Sequence, residues 1–218
     1  MPSRILLINP NSSVKTTDMM VGIAAASAPP DIGVVGATAS RAPQMITTQA
    51  ELLASADEVV EIGKRDVGGM SGIIVGAFGD PGLDALRNAV AVPVVGICEA
   101  SMMEAASGGR RFGVATVTPD LVAPIEQRAR DLHLHDLLSG IRLTPGDPLE
   151  LARDPARLER ALAEAVRECL EKDGAEAVII GGGPLGQAAV ALAPLFKQPI
   201  VAPIPAAVRR LVRSIDQR

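Results

Sequence analysis

Apolar residues in this chain form short unbroken runs, separated by longer stretches in which they recur every three or four positions. The runs are Arg4-Ile-Leu-Leu-Ile-Asn9, Ile32 to Thr38, Gly72-Ile-Ile-Val75, Val92-Pro-Val-Val95, Arg111-Phe-Gly-Val-Ala-Thr116, Ala177-Val-Ile-Ile180 and Gln198-Pro-Ile-Val201. Lacking in-and-out alternation, they predict strands covered on both faces, and the periodic stretches predict the covering helices. One helix carries Met20, Ile23 and Ala24 after Asn11, Ser12 and Ser13, any of which can cap it. A second runs from about Thr48 to Gly63, with Thr48-Gln-Ala-Glu51 at capping-box spacing and Leu52, Leu53, Ala56, Val59 and Val60 on one face. Glu99 to Ala106 predicts a short helix closed by Gly108-Gly109, and Thr118-Pro119-Asp120 reads as a helix start. Pro155 to Lys172 predicts a strongly amphipathic helix with Cys169 on its packed face, and Val208, Leu211, Val212 and Ile215 mark a terminal one.

Two stretches read as copies. Gly72-Ile-Ile-Val-Gly-Ala-Phe-Gly-Asp-Pro-Gly-Leu83 and Ala177-Val-Ile-Ile-Gly-Gly-Gly-Pro-Leu-Gly186 each run from a strand through a Gly-rich turn into a helix. They lie about 105 residues apart, and Arg111 to Pro119 repeats Arg4 to Pro10 at about the same offset, so the half-chain is duplicated. The pattern predicts an α/β fold of two pseudo-symmetric lobes, each a four-stranded parallel sheet flanked by helices, with an active-site cleft between them. Residues 1–97 with 207–218 would form the first lobe and 98–206 the second. Ligands in such folds sit beyond the carboxyl ends of the strands, where Asn9 to Ser13, Ala77 to Asp80, Thr116 to Thr118 and Gly182 to Gly186 fall.

Composition narrows the function. The chain has 218 residues, 48% of them hydrophobic, with no Trp or Tyr and a net charge of −4. Nucleic-acid binding, which wants basic grooves and stacking rings, is not expected. No apolar run reaches the ~20 residues of a membrane span, and the chain opens on a strand rather than a signal peptide, so a cytoplasmic protein without membrane contact is expected. Scarce aromatic surface also predicts a small, polar pocket. Cys98 and Cys169 make neither a disulfide framework nor a zinc spacing, and His133-Leu-His135 lacks further ligands, so no metal is expected.

Several motifs are weighed and set aside. Gly181-Gly-Gly-Pro-Leu-Gly186 satisfies G-x-G-x-x-G, yet no acidic residue follows before Asp216 to hold a ribose, which argues against a dinucleotide site. There is no P-loop Lys-Ser/Thr and no G-x-S-x-G elbow. Asp80-Pro81 fits a helix cap and first helical residue, a role favoured over acid–base work.

Ile8-Asn-Pro-Asn-Ser-Ser13, Gly79-Asp-Pro-Gly-Leu83, Pro93-Val-Val-Gly-Ile97 with Glu99-Ala100, and the second Gly-rich turn together resemble the aspartate/glutamate/hydantoin racemase superfamily, nearest to hydantoin and allantoin racemases. The resemblance covers nearly the whole chain. It implies no cofactor, a small-molecule carboxylate or cyclic imide bound between the lobes, and a homo-oligomer. In that family each turn carries a cysteine, one thiolate removing the α-proton and the other thiol returning a proton to the opposite face. The matching positions here are Ala77 and Gly182, neither of which transfers protons. What remains is a binding frame: Asn11, Ser12, Thr116, Thr118, Pro184 and the backbone of Ala77, Phe78, Gly79, Gly182, Gly183 and Gly186. Asp80, Glu99 or a bound water are the candidates for acid–base chemistry. Three readings follow: an enzyme acting on a small carboxylate or cyclic amide by non-thiol chemistry, a racemase whose cysteines are misplaced or replaced, and a non-catalytic binding protein for small anions.

Overall fold

The structure is a computed structural model and describes residues 3–217. The first half runs β1 (Ser3–Asn9), α1 (Val14–Ser27), β2 (Ile32–Thr38), α2 (Gln49–Ala54), α3 (Ala56–Asp66), β3 (Gly72–Val75), α4 (Leu83–Ala89), β4 (Val94–Gly96) and α5 (Ile97–Ala105). The second runs β5 (Phe112–Thr116), α6 (Val122–Asp131), β6 (Leu138–Leu143), α7 (Pro148–Leu151), α8 (Pro155–Glu171), β7 (Ala177–Ile180), α9 (Gly186–Leu192), β8 (Ile200–Val201) and α10 (Pro203–Asp216). All pairs are parallel, in two four-stranded sheets of order β2-β1-β3-β4 and β6-β5-β7-β8. The duplication extends to register, since Ile8 pairs with Val75 in one sheet and Ala115 with Ile180 in the other.

Both faces of the central strands β1, β3, β5 and β7 are buried, which is why those strands lack alternation. Ile5 and Leu7 of β1 join Phe112, Val114 and Ile179 of the second sheet in one shared core. Leu6 and Ile8 point the other way, into a core of the first lobe with Val59, Ile62 and Leu86. Val178 and Ile180 likewise face Leu162, Val166 and Ala189. Two helices are exchanged. α5 continues from β4 but packs on β7 and β8, while α10 follows β8 and packs on β3 and β4. The lobes are therefore joined by a common apolar layer, and their strand ends are held at a fixed separation.

Three local expectations need correction, and one strand had no local reading. The helix from Thr48 is capped as anticipated by the Thr48–Glu51 box, but it breaks at Ser55, whose hydroxyl donates to the Leu52 carbonyl. Asp80 does not cap the helix that follows it. Gly82 does, at φ 72, and Asp80 itself sits at φ 53. Strand β6 was not evident, because Leu138-Ser-Gly-Ile-Arg-Leu143 is a half-buried edge strand with a glycine and an arginine in it. The helix expected from Glu99 begins two residues earlier, at Ile97, because Asp80 supplies a remote cap for its N-terminus. Of the three candidate caps for α1, Ser13 takes the role, accepting from the Thr16 N–H.

Candidate functional site

The strand ends deliver two Gly-rich turns to one place. Gly76 N–H bonds to the Ile8 carbonyl and Gly181 N–H to the Ala115 carbonyl, so each turn leaves its sheet in the same way. Ala77 and Gly182 are the next residues in each copy, equivalent by strand position as well as by sequence. The turns touch. A Cβ on Gly183 would lie 2.5 Å from the Gly76 carbonyl oxygen, and one on Gly181 would lie 2.7 Å from the Phe78 ring. Only glycine allows that approach.

Between the turns lies a cleft bordered by Asn11, Ala77, Phe78, Thr116, Thr118, Gly182, Gly183 and Pro184. Its walls are closed by Met45, Ile46, Leu52, Val117, Leu121, Ile125 and Leu185. The pocket is small, as expected, but mostly apolar rather than polar. Aliphatic and thioether side chains from the 39–48 loop, α2 and α6 replace the missing aromatics. Val117 and Leu185 fall within turns that the sequence reading placed at the cleft, whereas Met45, Ile46, Leu52, Leu121 and Ile125 were missed. The one available signal was Met45-Ile46, an apolar pair inside an otherwise polar loop.

The polar groups of the cleft are held by a network at the end of β1. Asn11 Oδ1 accepts from Ser13 N–H (3.0 Å) and from Asn9 Nδ2 (2.8 Å). A backbone N–H can only donate, so the amide orientation is fixed and Asn11 Nδ2 is left as a donor with no protein partner among the described residues. Asn9 Nδ2 also reaches Thr17 Oγ1 at 3.0 Å. Thr116 donates its hydroxyl to the Gly181 carbonyl (2.8 Å), which sets the second turn. Thr118 is 4% exposed, and its hydroxyl has no protein partner among the described residues. The N–H groups of Phe78 and Gly183 likewise have no protein acceptor there. Three of the expected frame members stand elsewhere. Ser12 lies outside the cleft with its N–H on the Pro43 carbonyl, anchoring the 39–48 loop, and Gly186 N–H is taken by the Gly183 carbonyl. Gly79 opens onto a neighbouring groove instead.

The ionisable candidates are also placed away from the cleft. Asp80 is buried, and its carboxylate accepts from Cys98 N–H and Glu99 N–H at 2.8 Å each, capping α5 from a distance. A Cβ on Gly96, the residue before α5, would collide with that carboxylate. Arg128 of α6 approaches Asp80 at 3.5 Å. Burial pushes Asp80 up to about 7, against the pull of Arg128 and the two N–H donors. Glu99 pairs with Arg87 on the far side of α5. Cys98 is pushed well up by burial and by the Asp80 charge, and burial pushes Cys169 up to about 12. Neither thiol borders the cleft, and neither ionises near neutral pH. Among the described residues bordering the cleft, none carries an ionisable side chain. His133 and His135 are exposed, and no group of metal-ligating side chains occurs among the described residues. No described helix is long and apolar enough to cross a membrane.

Gly182 holds φ 159, a backbone conformation that side-chain-bearing residues rarely adopt, and Leu185 packs against it. A Cβ built on Gly182 would lie 2.9 Å from Leu185 Cγ and 3.0 Å from Cδ1. The leucine fills the space into which a side chain at 182 would project.

The Asp/Glu/hydantoin racemase family model matches residues 5–211. A hydantoin racemase of Pseudomonas sp. (strain NS671) is 29% identical over 98% of this chain and 86% of its own length. One from Rhizobium meliloti is 30% identical over 94% and 86%. An allantoin racemase from Klebsiella pneumoniae superposes with a TM-score of 0.93 at 25% identity, covering 99% of this chain and 88% of that one. An arylmalonate decarboxylase shares the fold at a TM-score of 0.68 and 16% identity, covering 98% and 92%.

Proposed function

The chain belongs to the Asp/Glu/hydantoin racemase family of enzymes, and from that premise we propose that it is a cofactor-independent enzyme acting on a small carboxylate or hydantoin-like cyclic amide by chemistry that uses no thiol. The observation that carries this reading is the cleft itself. Two Gly-rich turns meet over neutral donors, Asn11 Nδ2, the Thr118 hydroxyl and the N–H groups of Phe78 and Gly183, with no ionisable side chain beside them. Such donors suit a carboxylate or imide oxygen, and more so the enolate formed when the α-proton leaves. A well-placed donor to that oxygen contributes about 3 kcal/mol to the transition state. Of the three candidates for moving the proton, Asp80 and Glu99 do not border the cleft, which leaves water. A hydroxide drawn from solvent takes the α-proton and becomes water, and a solvent water returns a proton to the enolate and leaves hydroxide. Apolar walls strengthen each hydrogen bond from the fixed donors to the developing enolate charge.

The same neutral lining supports a second reading, a binding protein for small anions without turnover. One experiment separates them. The protein is incubated with hydantoin, allantoin and small dicarboxylates in deuterium oxide, with binding followed by calorimetry and α-carbon deuteration by NMR. Binding with deuteration above the buffer rate supports the enzyme, and binding without it supports the second reading. No binding by any of these compounds overturns both.

A further inference from the structure

A larger cavity abuts the cleft, and four residues, Met45, Val117, Pro184 and Leu185, face both. The two spaces are thus separated by a single layer of side chains. Measured as space open to the centre of a water molecule, the inner one is ≈ 40 Å³ and the outer ≈ 270 Å³. The inner volume holds about three waters on that measure, room for a bare ring or short acid but not for a substituent. The nearest larger space for a substituent on the reacting carbon lies across the partition. Two of the partition side chains can yield. Met45 is an unbranched thioether on a loop, and Leu185 sits in the short turn before α9.

The outer cavity has a definite chemistry. Met19, Pro155 and Leu158 give it an apolar flank, and Lys15, one helical turn before Met19 on α1, supplies a cation. Lys15 has no carboxylate partner among the described residues, and it stands in the first turn of a helix, where a cation is disfavoured unless an anion sits beside it. Glu159 borders the same cavity from α8, also without a partner among the described residues.

We infer that the outer cavity is a substrate-arm subsite, taking a substituent with an apolar stem and a carboxylate end seated at Lys15, with Leu185 and Met45 as the specificity-determining partition. This rests on the reading of the inner cleft given above. It narrows the substrate to a hydantoin or short acid bearing an ω-carboxyalkyl arm.

The test is a calorimetric series at low ionic strength: bare hydantoin, and hydantoins with five-position butyl, ω-carboxybutyl and ω-aminobutyl arms. Each arm is read as its affinity divided by that of the bare ring, which keeps the two cavities apart. The ω-carboxybutyl ratio is expected to exceed the butyl ratio by about 1.4-fold to fivefold, the range of one solvent-exposed ion pair. Lys15→Gln should bring those two ratios together, and Glu159→Gln should raise the carboxylate ratio further. Leu185→Ala should raise every arm ratio, with Met45→Ala as the substitute variant if that protein fails to fold. An ω-aminobutyl or butyl ratio equal to or above the carboxylate ratio overturns the inference, as do arm ratios of one throughout. If the armed acid binds and the bare ring does not, the arm subsite stands and the inner reading falls. If no compound binds, both fall.

Discussion

Gly182 and Leu185 form a pair, and the chemistry of the cleft turns on it. A side chain at 182 would press on Leu185 Cγ at 2.9 Å, tighter than ordinary van der Waals contact. Placing thiols at both turns by Ala77→Cys and Gly182→Cys should therefore give little α-proton exchange unless Leu185→Ala is added. The triple variant should exchange the α-proton of a bound hydantoin at least tenfold faster than the double variant, measured by deuterium incorporation. Equal rates would mean that Leu185 does not obstruct position 182. The donors are tested separately. Thr118→Val should weaken binding of a small carboxylate about tenfold by calorimetry, as expected for a hydrogen bond to a charged group worth ~1.5 kcal/mol. Asn11→Ala should weaken it further, because it also strips the acceptor of Ser13 N–H and Asn9 Nδ2. Thr116→Val should act differently, because that hydroxyl is spent on the Gly181 carbonyl and its loss would disturb the turn.

The loop between β2 and α2 brings Met45 and Ile46 over the cleft, and two glutamates hold it there. Glu58 of α3 accepts from Ser40 N–H (2.7 Å), the Ser40 hydroxyl (2.8 Å) and Arg41 N–H (3.0 Å). Glu51 accepts from Thr47 and Thr48 N–H. Burial alone would raise Glu58, but the Ser40 and Arg41 donors outweigh it and hold the carboxyl below its usual range. Glu58→Gln should raise amide hydrogen exchange across residues 39–48 at neutral pH by at least tenfold and leave β1 and β5 protected. Unchanged exchange would mean that Glu58 does not hold the loop. This loop also marks where the sequence stopped being readable. Strands such as Ile5 to Ile8 announce themselves because both faces are buried, and the Thr48–Glu51 box is a local signal. The clamp from Glu58 to Ser40 is not local, and neither is the cap that Asp80 provides for α5 across 18 residues. Sequence spacing therefore placed Asp80 on the adjacent helix, and nothing local to Leu121 and Ile125 marked them as cleft walls. The two turns were legible because they are copies. The residues that close over them were not, because nothing in their own neighbourhoods requires it.

At the scale of the molecule, Asp80 is a joint. It leaves the first turn, caps the exchanged helix α5 and meets Arg128 from α6, so its charge bears on how the two lobes are held together. Its folded value near 7 stands above the ordinary ~3.9 of an unfolded aspartate. The folded chain then holds this proton more tightly than the unfolded one does. Its contribution to stability is full below about pH 4 and is lost as pH rises through about 7, at up to ~1.4 kcal/mol per pH unit. Between pH 5 and 8 the other shifted groups do not mask this slope. Glu51 and Glu58 have lowered values and are already ionised. Both cysteines stay protonated in the folded chain and, as unfolded thiols begin to ionise near pH ~8, add to the same fall. Thermal unfolding should therefore move to lower temperature from pH 5 to pH 8 in the native chain, and Asp80→Asn should flatten that dependence even if it lowers the midpoint overall by disturbing the α5 cap. Removing the cation by Arg128→Met should shift the window to higher pH, because Arg128 is what draws the carboxyl toward ionisation. If Asp80→Asn kept the slope of the native chain, the pH dependence would belong to some other group, and Asp80 would be a plain helix cap that remains charged throughout.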